Sequence, residues 1–306
     1  MFYNLKRRMG RWRLERSIHG VFETPPIRVS SAPWAVVSMV GDADIAMYLL
    51  AIKTFYRKLG AGKIVAIVSR NMKEDDLDKI KYHVSGIEIQ IIDEIEVSGY
   101  QRGGCWERLI YILNRLDHEF VIQLDCDTIT IGNDIDEIIK RVESNVSFAY
   151  ADGNRPVMSM AAAGIEARLS KSNYVGLALE RSFCDWPKAD HLMYCRGSAA
   201  IAGFAKGSGD LNSLEFFYTN MKMSLQDRWQ EWGTEQCASN FMIANSANVS
   251  MLPFPAYATY PGCGSDREVK MFHFLGSVRY RDGYYGRKGK AIINGELRTE
   301  SRRIAG

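Results

Sequence analysis

Two aspartates that follow an apolar run are the residues best placed in this sequence to hold a metal ion. The chain contains four Asp-x-Asp patterns, but only Asp125 and Asp127 directly follow a largely apolar run, Val121–Leu124. In open α/β sheets, ligands bind just beyond the carboxyl ends of the strands. Two carboxylates there repel each other unless a cation or protons neutralise them, and their hard oxygens favour Mg²⁺ or Mn²⁺. The pair therefore predicts a metal–nucleotide site, with a turn or a helix cap as the alternative.

A histidine near the end of the chain is a candidate third ligand. His273 lies in the run MFHFLG, and a lone histidine among apolar residues is most often a satisfied core residue. Because a carboxylate pair is expected nearby, and because Gly276 and Arg279 follow, we interpret His273 as a metal ligand. Gly276 would let the backbone approach phosphates, and Arg279 would grip a leaving diphosphate with its fork of donors.

Alternating strands and helices must position these residues. Valine- and isoleucine-rich runs predict strands at residues 34–40, 63–69, 87–92, 119–125 and 146–151. Helical periodicity predicts helices after the cap Asp44 and at residues 73–82, 105–116, 134–142 and 210–229, and 198–204 is a further candidate strand. Strands separated by helices in this way form crossovers and a mainly parallel sheet. With no linker and no repeat, the sequence predicts a single α/β domain.

The order of these motifs resembles that of the GT-A glycosyltransferases, and among them the retaining enzymes related to bacterial lipopolysaccharide galactosyltransferases and glycogenin. The first strand ends in Met39–Asp42, and the aromatic-x-Arg-Leu sequence Trp106–Leu109 precedes the apolar strand and its Asp-x-Asp pair. Looser counterparts of later family motifs are Arg196–Ser198, Glu235–Gln236 and His273–Arg279. Three letters depart from the family pattern: Arg196 replaces Asn, Glu235 replaces Asp and Arg279 replaces Lys.

The resemblance implies a GT-A (Rossmann-like) fold, with a mixed, mainly parallel sheet flanked by helices. It also implies transfer of a sugar from a nucleotide-diphosphate donor, a UDP-sugar by preference, to a hydroxyl of a glycan, lipid-linked or protein acceptor, with Mn²⁺ or Mg²⁺ as cofactor. The implied donor-binding residues are Gly41, Asp42, Arg108, Asp125, Gly276 and Arg279. The implied metal ligands are Asp125, Asp127 and His273.

The residues assigned to catalysis are Gln236, Glu235 and Asp152. The amide of Gln236 cannot act as a base, but it could lie beneath the anomeric carbon and stabilise positive charge there. A retaining reaction can do without a protein base, because the departing phosphate oxygen can take the acceptor proton. Glu235 would then hydrogen-bond donor or acceptor hydroxyls, and its alternative role is that of an inverting base. Asp152 precedes Gly153, so it is either a contact for sugar hydroxyls or a turn residue.

Charge is unevenly distributed along the chain. The net charge of +3 combines +5 in residues 1–16, +5 in residues 279–306 and −7 between them. We therefore predict a basic arm at residues 1–27, a glycosyltransferase domain at 28–282 and a basic tail at 283–306. The basic ends could contact an anionic membrane, and solvated arms are the alternative. They carry no nucleic-acid-reading motif, so no nucleic-acid partner is expected.

The remaining features narrow the class of protein. The sequence shows no signal peptide and no membrane-spanning run, which predicts a cytoplasmic protein, peripheral at the membrane if the basic ends bind there. Six cysteines without a CxxC pattern predict reduced thiols.

Two other functions are compatible with the aspartate pair. One is a haloacid-dehalogenase-like phosphatase with Asp125 as nucleophile and Asp127 as acid, although Ile129 departs from that signature. The other is a non-catalytic nucleotide-sugar binder.

Overall fold

The structure is a computed structural model that describes residues 2–262 and 266–299, with side chains from Arg8 onward. Its helices are α1 (Phe2–Ile18), α2 (Ile45–Leu59), α3 (Glu74–His83), α4 (Trp106–Arg115), α5 (Asp136–Glu143), α6 (Met160–Arg168), α7 (Val175–Glu180), α8 (Leu211–Leu225), α9 (Thr234–Ala244) and α10 (Tyr284–Ile292). Its strands are β1 (Ile27–Arg28), β2 (Trp34–Val40), β3 (Lys63–Val68), β4 (Val84–Ser85), β5 (Glu88–Ile91), β6 (Phe120–Leu124), β7 (Thr128–Thr130), β8 (Ser147–Ala149), β9 (Met158–Ser159), β10 (Met193–Tyr194), β11 (Ile201–Phe204), β12 (Val249–Met251), β13 (Tyr257–Thr259) and β14 (Met271–His273).

The described residues form two compact units, each assembled from separate segments. Unit 1 contains the residues up to Ile91, Leu124–Asp136 and the residues from Phe254 onward, and unit 2 contains Ile92–Gln123 and Glu137–Pro253. The sequence does not reveal this interleaving, because no linker marks it. The boundaries of the predicted arm, domain and tail remain predictions.

Parallel strands form the core of unit 1. Strand β3 lies between β2 and β5 and is parallel to both, with Val36 opposite Ile64 and Ile67 opposite Gln90. Both β2 and β3 are almost wholly buried, as expected for strands whose two faces are covered and whose sequences read as continuous apolar runs. Helix α2, which connects them, buries most of its residues. The predicted βαβ arrangement is therefore present.

A second, smaller sheet in unit 1 has the strand order β13-β14-β7. Strand β14 is parallel to β13 and antiparallel to β7, with Phe272 opposite Ile129. Each of these strands has three residues. Such short strands leave no periodic signal, so β7, β13 and β14 cannot be predicted from the sequence pattern.

Unit 2 has its own set of strands, in the order β12-β8-β11-β6. Strand β8 is parallel to β12 and antiparallel to β11. Helices α8 and α9 pack on each other, and α8 buries the apolar side predicted from its sequence, including Phe217 and Met221. The helix predicted at residues 210–229 is shorter than expected, because Gln226 has a φ of 48° and only a 3₁₀ turn continues beyond it.

The observed pairings confirm the predicted fold class, an α/β protein with a mixed, mainly parallel sheet flanked by helices. The predicted helices and strands agree with the observed elements to within a few residues, apart from the C-terminal end of α8. Asp44 occupies the cap position of α2 as predicted, but its side chain makes no capping hydrogen bond. None of the five described cysteines forms a disulfide, and Cys263 lies outside the described residues.

The basic N-terminal segment forms helix α1, which packs against α10. Leu14 and Ile18 are the buried residues of this contact, whereas the neighbouring arginines are exposed. Among the described residues, no helix combines the length and apolar character that crossing a membrane requires.

A buried lysine in unit 1 lies among neutral hydrogen-bond partners. Lys53 Nζ donates to Thr24 Oγ1 and to the Pro25 carbonyl, each at 2.8 Å, and lies 3.0 Å from His83 Nδ1. Burial, together with the charge of Arg57, lowers the pKa of Lys53 to about 7. Burial and the Lys53 charge lower the pKa of His83 to about 4.

The lowered pKa of Lys53 predicts a stability that depends on pH. Between pH 7 and the ordinary lysine pKa, the unfolded chain binds a proton that the folded chain lacks, so the free energy of unfolding rises with pH. Lys53→Met removes this contribution, and we expect its slope to be smaller than the wild-type slope by about 1 kcal/mol per pH unit. Urea unfolding at pH 7.5 and pH 9.5 measures both slopes. The exposed substitution Lys206→Met should keep the wild-type slope; a Lys53→Met slope equal to the wild-type slope would contradict the prediction.

Candidate active site

The short sheet of unit 1 brings His273 to the aspartate pair. Asp125 and Asp127 occupy the turn between β6 and β7, and β7 pairs with β14 so that His273 lies opposite Thr128. The Phe274 amide donates to the Asp127 carbonyl at 2.9 Å and continues this pairing past the end of β14. The antiparallel register therefore places His273 beside Asp127, although the two residues are far apart in the sequence.

Asp125, Asp127 and His273 form a cluster that could hold a metal ion. One ligand atom from each residue lies within 4.8 Å of the others. His273 Nε2 is 3.4 Å from Asp127 Oδ1, and both residues are buried, at 5% and 9% exposure. Two carboxylates suit Mg²⁺ and Mn²⁺, and imidazole is a common ligand of the first-row transition metals. The donor set therefore fits a divalent cation, and the three residues predicted as ligands are together.

Arg279 lies against the same cluster. Its Nη2 is 2.9 Å from Asp127 Oδ2, and its Nε donates to the Gly276 carbonyl at 2.8 Å. Gly276 begins the 3₁₀ turn Gly276–Tyr280 with a φ of 56°, a conformation that favours glycine. Apart from the two chain neighbours of Gly276, no atom of the described residues lies within 4 Å of the position that a Gly276 Cβ would occupy. There is therefore open space on this side of the Gly276 backbone, and the approach of phosphates to it stays a prediction.

Opposing effects set the protonation of the cluster. Burial raises the pKa of Asp127, but the hydrogen bond and charge of His273 and the charge of Arg279 outweigh burial and hold that pKa below its usual range. Burial lowers the pKa of His273, but the contact with Asp127 and the charge of Asp125 outweigh it, so the pKa is raised. The cluster therefore favours an ionised Asp127 beside a cationic partner, and it is a place where a cation is stabilised.

The turn after β2 also lies next to the aspartate pair. Cys126 Sγ donates to the Met39 carbonyl at 3.2 Å, which joins the end of β2 to the turn between Asp125 and Asp127. Gly41 and Asp42 follow directly and are exposed. A Cβ on Gly41 would lie 3.1 Å from Asp44 Oδ2, so glycine keeps this turn narrow. The predicted nucleotide turn and the predicted metal ligands are thus parts of the same unit.

Two further residues, Asp44 and Tyr285, interact electrostatically with the cluster, although their sequence pattern does not assign them to it. The pKa of the Asp44 carboxyl is raised, chiefly by burial. The charges of Arg279 and Arg11 lower this pKa and the charge of Asp127 raises it, but burial has the largest effect. The Tyr285 hydroxyl is buried and finds no hydrogen-bond partner among the described residues. Burial raises its pKa, and the charge of Asp127 adds to that effect. The sequence suggested only a cap role for Asp44 and gave no specific signal for Tyr285.

The residues predicted to act on the sugar lie in unit 2. Arg108 Nη2 is 3.7 Å from Glu235 Oε1, and both residues are buried. Ser239 Oγ also donates to Glu235 Oε1, at 3.1 Å. Gln236 Nε2 donates to the Gly197 carbonyl at 2.9 Å. The structure thus brings Arg108, Glu235 and Gln236 to the start of α9, while Asp152 is exposed in the segment after β8.

Arg196, which departs from the family pattern, has a structural role in unit 2. Its guanidinium donates to Glu180 at 2.8 Å, to Glu166, and to the Ala163 carbonyl at 2.9 Å. These bonds tie the segment that carries Arg196 to helices α6 and α7. An arginine is tolerated at this position because two glutamates, Glu166 and Glu180, balance its charge.

Comparisons with known proteins relate the chain to others by structure only. No family model matches the sequence, and no curated protein matches it. The chain is similar to the apo structure of the bifunctional glycosyltransferase WbbM, with a TM-score of 0.56 and 14% identity over 92% of this chain and 52% of that chain. It is also similar to the galactosyltransferase LgtC in complex with donor and acceptor sugar analogs, with a TM-score of 0.53 and 12% identity over 88% of this chain and 99% of that one.

These similarities concern the fold. The matched part of this chain corresponds to about half of WbbM and to almost the whole of LgtC. At such low identity, a shared fold does not by itself transfer an activity, which has to be argued from the site. The predicted GT-A fold is confirmed.

Proposed function

We propose that this GT-A protein is a metal-dependent glycosyltransferase that moves a sugar from a nucleotide-diphosphate donor to a hydroxyl acceptor. The observation that carries the proposal is the cluster of Asp125, Asp127 and His273, which lies just beyond a strand end beside the turn after β2. Open α/β sheets bind their ligands at this edge. Two solved structures that are similar to this chain are named as glycosyltransferases.

The cluster would hold the cation against the donor diphosphate. Asp125 and Asp127 supply hard oxygen ligands and His273 a nitrogen, a combination that favours Mn²⁺ over Mg²⁺. When bound, the cation would supply Lewis-acid stabilisation of the negative charge on the leaving diphosphate. Arg279 lies next to Asp127 and would bind a diphosphate oxygen through its guanidinium. Because Gly276 has no side chain, a phosphate oxygen could approach its backbone closely.

The donor nucleoside would lie against the turn after β2. Gly41 leaves this turn narrow, and Asp42 presents an exposed carboxylate that can accept hydrogen bonds from ribose hydroxyls or a base. We propose a UDP-sugar as donor, because the motifs of this chain resemble those of the retaining GT-A glycosyltransferases. A thermal-shift screen of UDP-, GDP- and CDP-sugars, with and without Mn²⁺, tests the choice, because a ligand that binds the folded state raises its melting temperature.

The contacts within unit 2 support separate roles for Glu235 and Gln236. Arg108 and Ser239 hold the Glu235 carboxylate, which suits a residue that orients sugar hydroxyls better than one that must accept a proton. Gln236 uses its amide nitrogen on Gly197, so its Oε1 oxygen is the atom offered to positive charge on the sugar. Arg108 would hold Glu235 and contact the donor, and Asp152 would bind sugar hydroxyls.

These roles predict that the sugar is transferred with retention of anomeric configuration. In a retaining reaction the departing phosphate oxygen can take the acceptor proton on the same face, so no protein base is needed opposite the leaving group. Proton NMR of the first product from an α-linked donor should show an α-linkage. A β-linked product would refute both retention and the role given to Gln236.

We also propose that the basic ends make a peripheral contact with anionic membranes. On α1, Arg8, Arg13 and Arg16 are exposed, and Trp12 is 57% exposed beside them. Exposed tryptophan with surrounding cations is typical of segments that lie in the membrane interface. The acceptor of such an enzyme could be lipid-linked, with a glycan or a protein as the alternatives.

Membrane contact of this kind should depend on both salt and Trp12. We expect sedimentation with phosphatidylglycerol vesicles at low salt, and loss of most binding at 0.5 M NaCl, because salt screens exposed charges. Trp12→Ser should weaken binding several-fold at low salt, whereas Trp232→Ser, at an exposed position in unit 2, should not. Equal sedimentation of the wild type at both salt concentrations would contradict an electrostatic contact.

A further inference from the structure

A cavity lies between α1, the 3₁₀ turn Gly276–Tyr280 and α10, all within unit 1, and it shares only Arg279 with the neighbourhood of the metal cluster. Its volume is about 540 Å³, which is in the range of small-molecule sites. Four arginines line it, Arg13, Arg279, Arg281 and Arg287, together with a single carboxylate, that of Asp282. The cavity wall is therefore strongly cationic.

The carboxylate of Asp282 accepts hydrogen bonds from two neutral donors. Asp282 Oδ2 accepts from the Tyr260 hydroxyl at 2.5 Å, and its Oδ1 accepts from the Tyr284 amide at 2.9 Å. The Tyr260 hydrogen bond helps to keep the pKa of Asp282 below its usual range, against the effect of burial. Asp282 therefore orders the start of α10. The charge of Arg287 also lowers the pKa of Asp282, but among the described residues Asp282 forms no ion pair with Arg13, Arg281 or Arg287, and one carboxylate cannot balance four arginines.

Three of the four arginines have no carboxylate partner among the described residues. Arg287 Nη1 donates to the Asp282 carbonyl at 2.7 Å, which fixes its position without neutralising its charge. Arg13 and Arg281 are exposed and take part in no ion pair within the described part of the chain. Only Arg279 is paired, and its partner is Asp127 of the metal cluster.

Glycines at close helix contacts shape this cavity. A Cβ on Gly10 would lie 2.8 Å from Tyr280 Cβ, and a Cβ on Gly286 would lie 3.0 Å from Ser17 Cβ. Larger residues there would push α1 away from the turn and from α10. The two glycines thus hold the arginines of α1 and those near α10 around one space.

We propose that this cavity is a second anion site, which binds a phosphate group through Arg13, Arg281 and Arg287. Guanidinium groups match phosphate oxygens in geometry and charge, and unpaired arginines around one space leave several donors for one anion. The phosphate is carried either by a soluble compound or by a lipid headgroup. This site does not depend on the proposed glycosyltransferase activity, because Arg13, Arg281 and Arg287 are not part of the donor site.

The first test uses inorganic pyrophosphate as the probe, in EDTA so that metal-dependent donor binding does not contribute. Isothermal titration calorimetry on the full chain should show binding that the Arg13→Gln/Arg281→Gln double variant weakens by about tenfold or more. The matched control is Arg8→Gln/Arg16→Gln. It removes the same charge from exposed residues that do not line the cavity, and it should bind pyrophosphate within about twofold of wild type. Circular dichroism melting of both double variants checks that they are folded.

A second arm distinguishes the two sources of phosphate. Sedimentation with phosphatidic acid vesicles should fall further for the cavity variant than for the control if a lipid headgroup enters the cavity. An equal fall for both variants, with cavity-dependent pyrophosphate binding, assigns the site to a soluble phosphate compound. If the cavity variant and the control, both folded, bind pyrophosphate equally and sediment equally, the proposal is wrong.

Discussion

Asp127→Asn is expected to lower Mn²⁺-dependent turnover of the donor by about 100-fold or more, with the protein still folded. The substitution replaces a negative metal-binding oxygen by a neutral amide of nearly the same volume. It also removes the charge that pairs with Arg279 at 2.9 Å and that lies beside His273. Loss of Mn²⁺ binding can be followed without a known substrate, because free Mn²⁺ gives an electron paramagnetic resonance signal that bound Mn²⁺ does not.

A matched control for this variant exists elsewhere in the chain. Asp78 belongs to another Asp-x-Asp pattern and is exposed on α3. Asp78→Asn should therefore bind Mn²⁺ like the wild type. If Asp127→Asn kept Mn²⁺ affinity and turnover within severalfold of wild type, the assignment of the aspartate pair as a metal site would be wrong.

His273→Phe is expected to weaken Mn²⁺ binding by about tenfold or more. The side chain is 5% exposed in an apolar run, so phenylalanine can occupy the space without exposing new apolar surface. The two interpretations of this histidine then give opposite results. A core histidine can be replaced by phenylalanine with no effect on metal binding, whereas a ligand cannot.

Two measurements, Mn²⁺ affinity and melting temperature, distinguish a metal-ligand role of His273 from a core role. We expect the melting temperature of His273→Phe to stay close to that of the wild type in EDTA, while its Mn²⁺ affinity falls. His191→Phe, at an exposed position, controls for the loss of an imidazole. Unchanged Mn²⁺ affinity in a folded His273→Phe protein would show that His273 is a core residue and not a metal ligand.

The sequence predicts the longer buried strands and the helices with a clear apolar period, but it misses the short strands and several helices, and the reason is physical. Buried parallel strands such as β2 and β3 read as continuous apolar runs, and α2 and α4 show a clear apolar face. The aspartate pair could be found because it follows one of those runs. Strands β7 and β14 could not, because three residues are too few for a period and their pairing joins distant parts of the chain.

For the same reason, the sequence indicates the ligands of the site but not its surroundings. The position of His273 beside Asp127 depends on the register of β14 with β7. The contacts of Arg196 with Glu166 and Glu180 join segments that share no local pattern, so the structural role of this arginine is visible only in the fold. The charge of Asp127 raises the pKa of Tyr285 only because α10, which carries Tyr285, packs within unit 1.

The most direct test of the central claim is release of nucleoside diphosphate from UDP-, GDP- and CDP-sugars, measured with Mn²⁺ and with EDTA. A metal site that serves sugar transfer predicts turnover of at least one donor with Mn²⁺, none in EDTA, and a large loss with Asp127→Asn. The same samples are assayed for phosphate released from phosphomonoesters, the reaction of a phosphatase that uses Asp125 as nucleophile. Phosphomonoester hydrolysis in place of donor turnover, or donor binding without turnover, would contradict the proposed glycosyltransferase function.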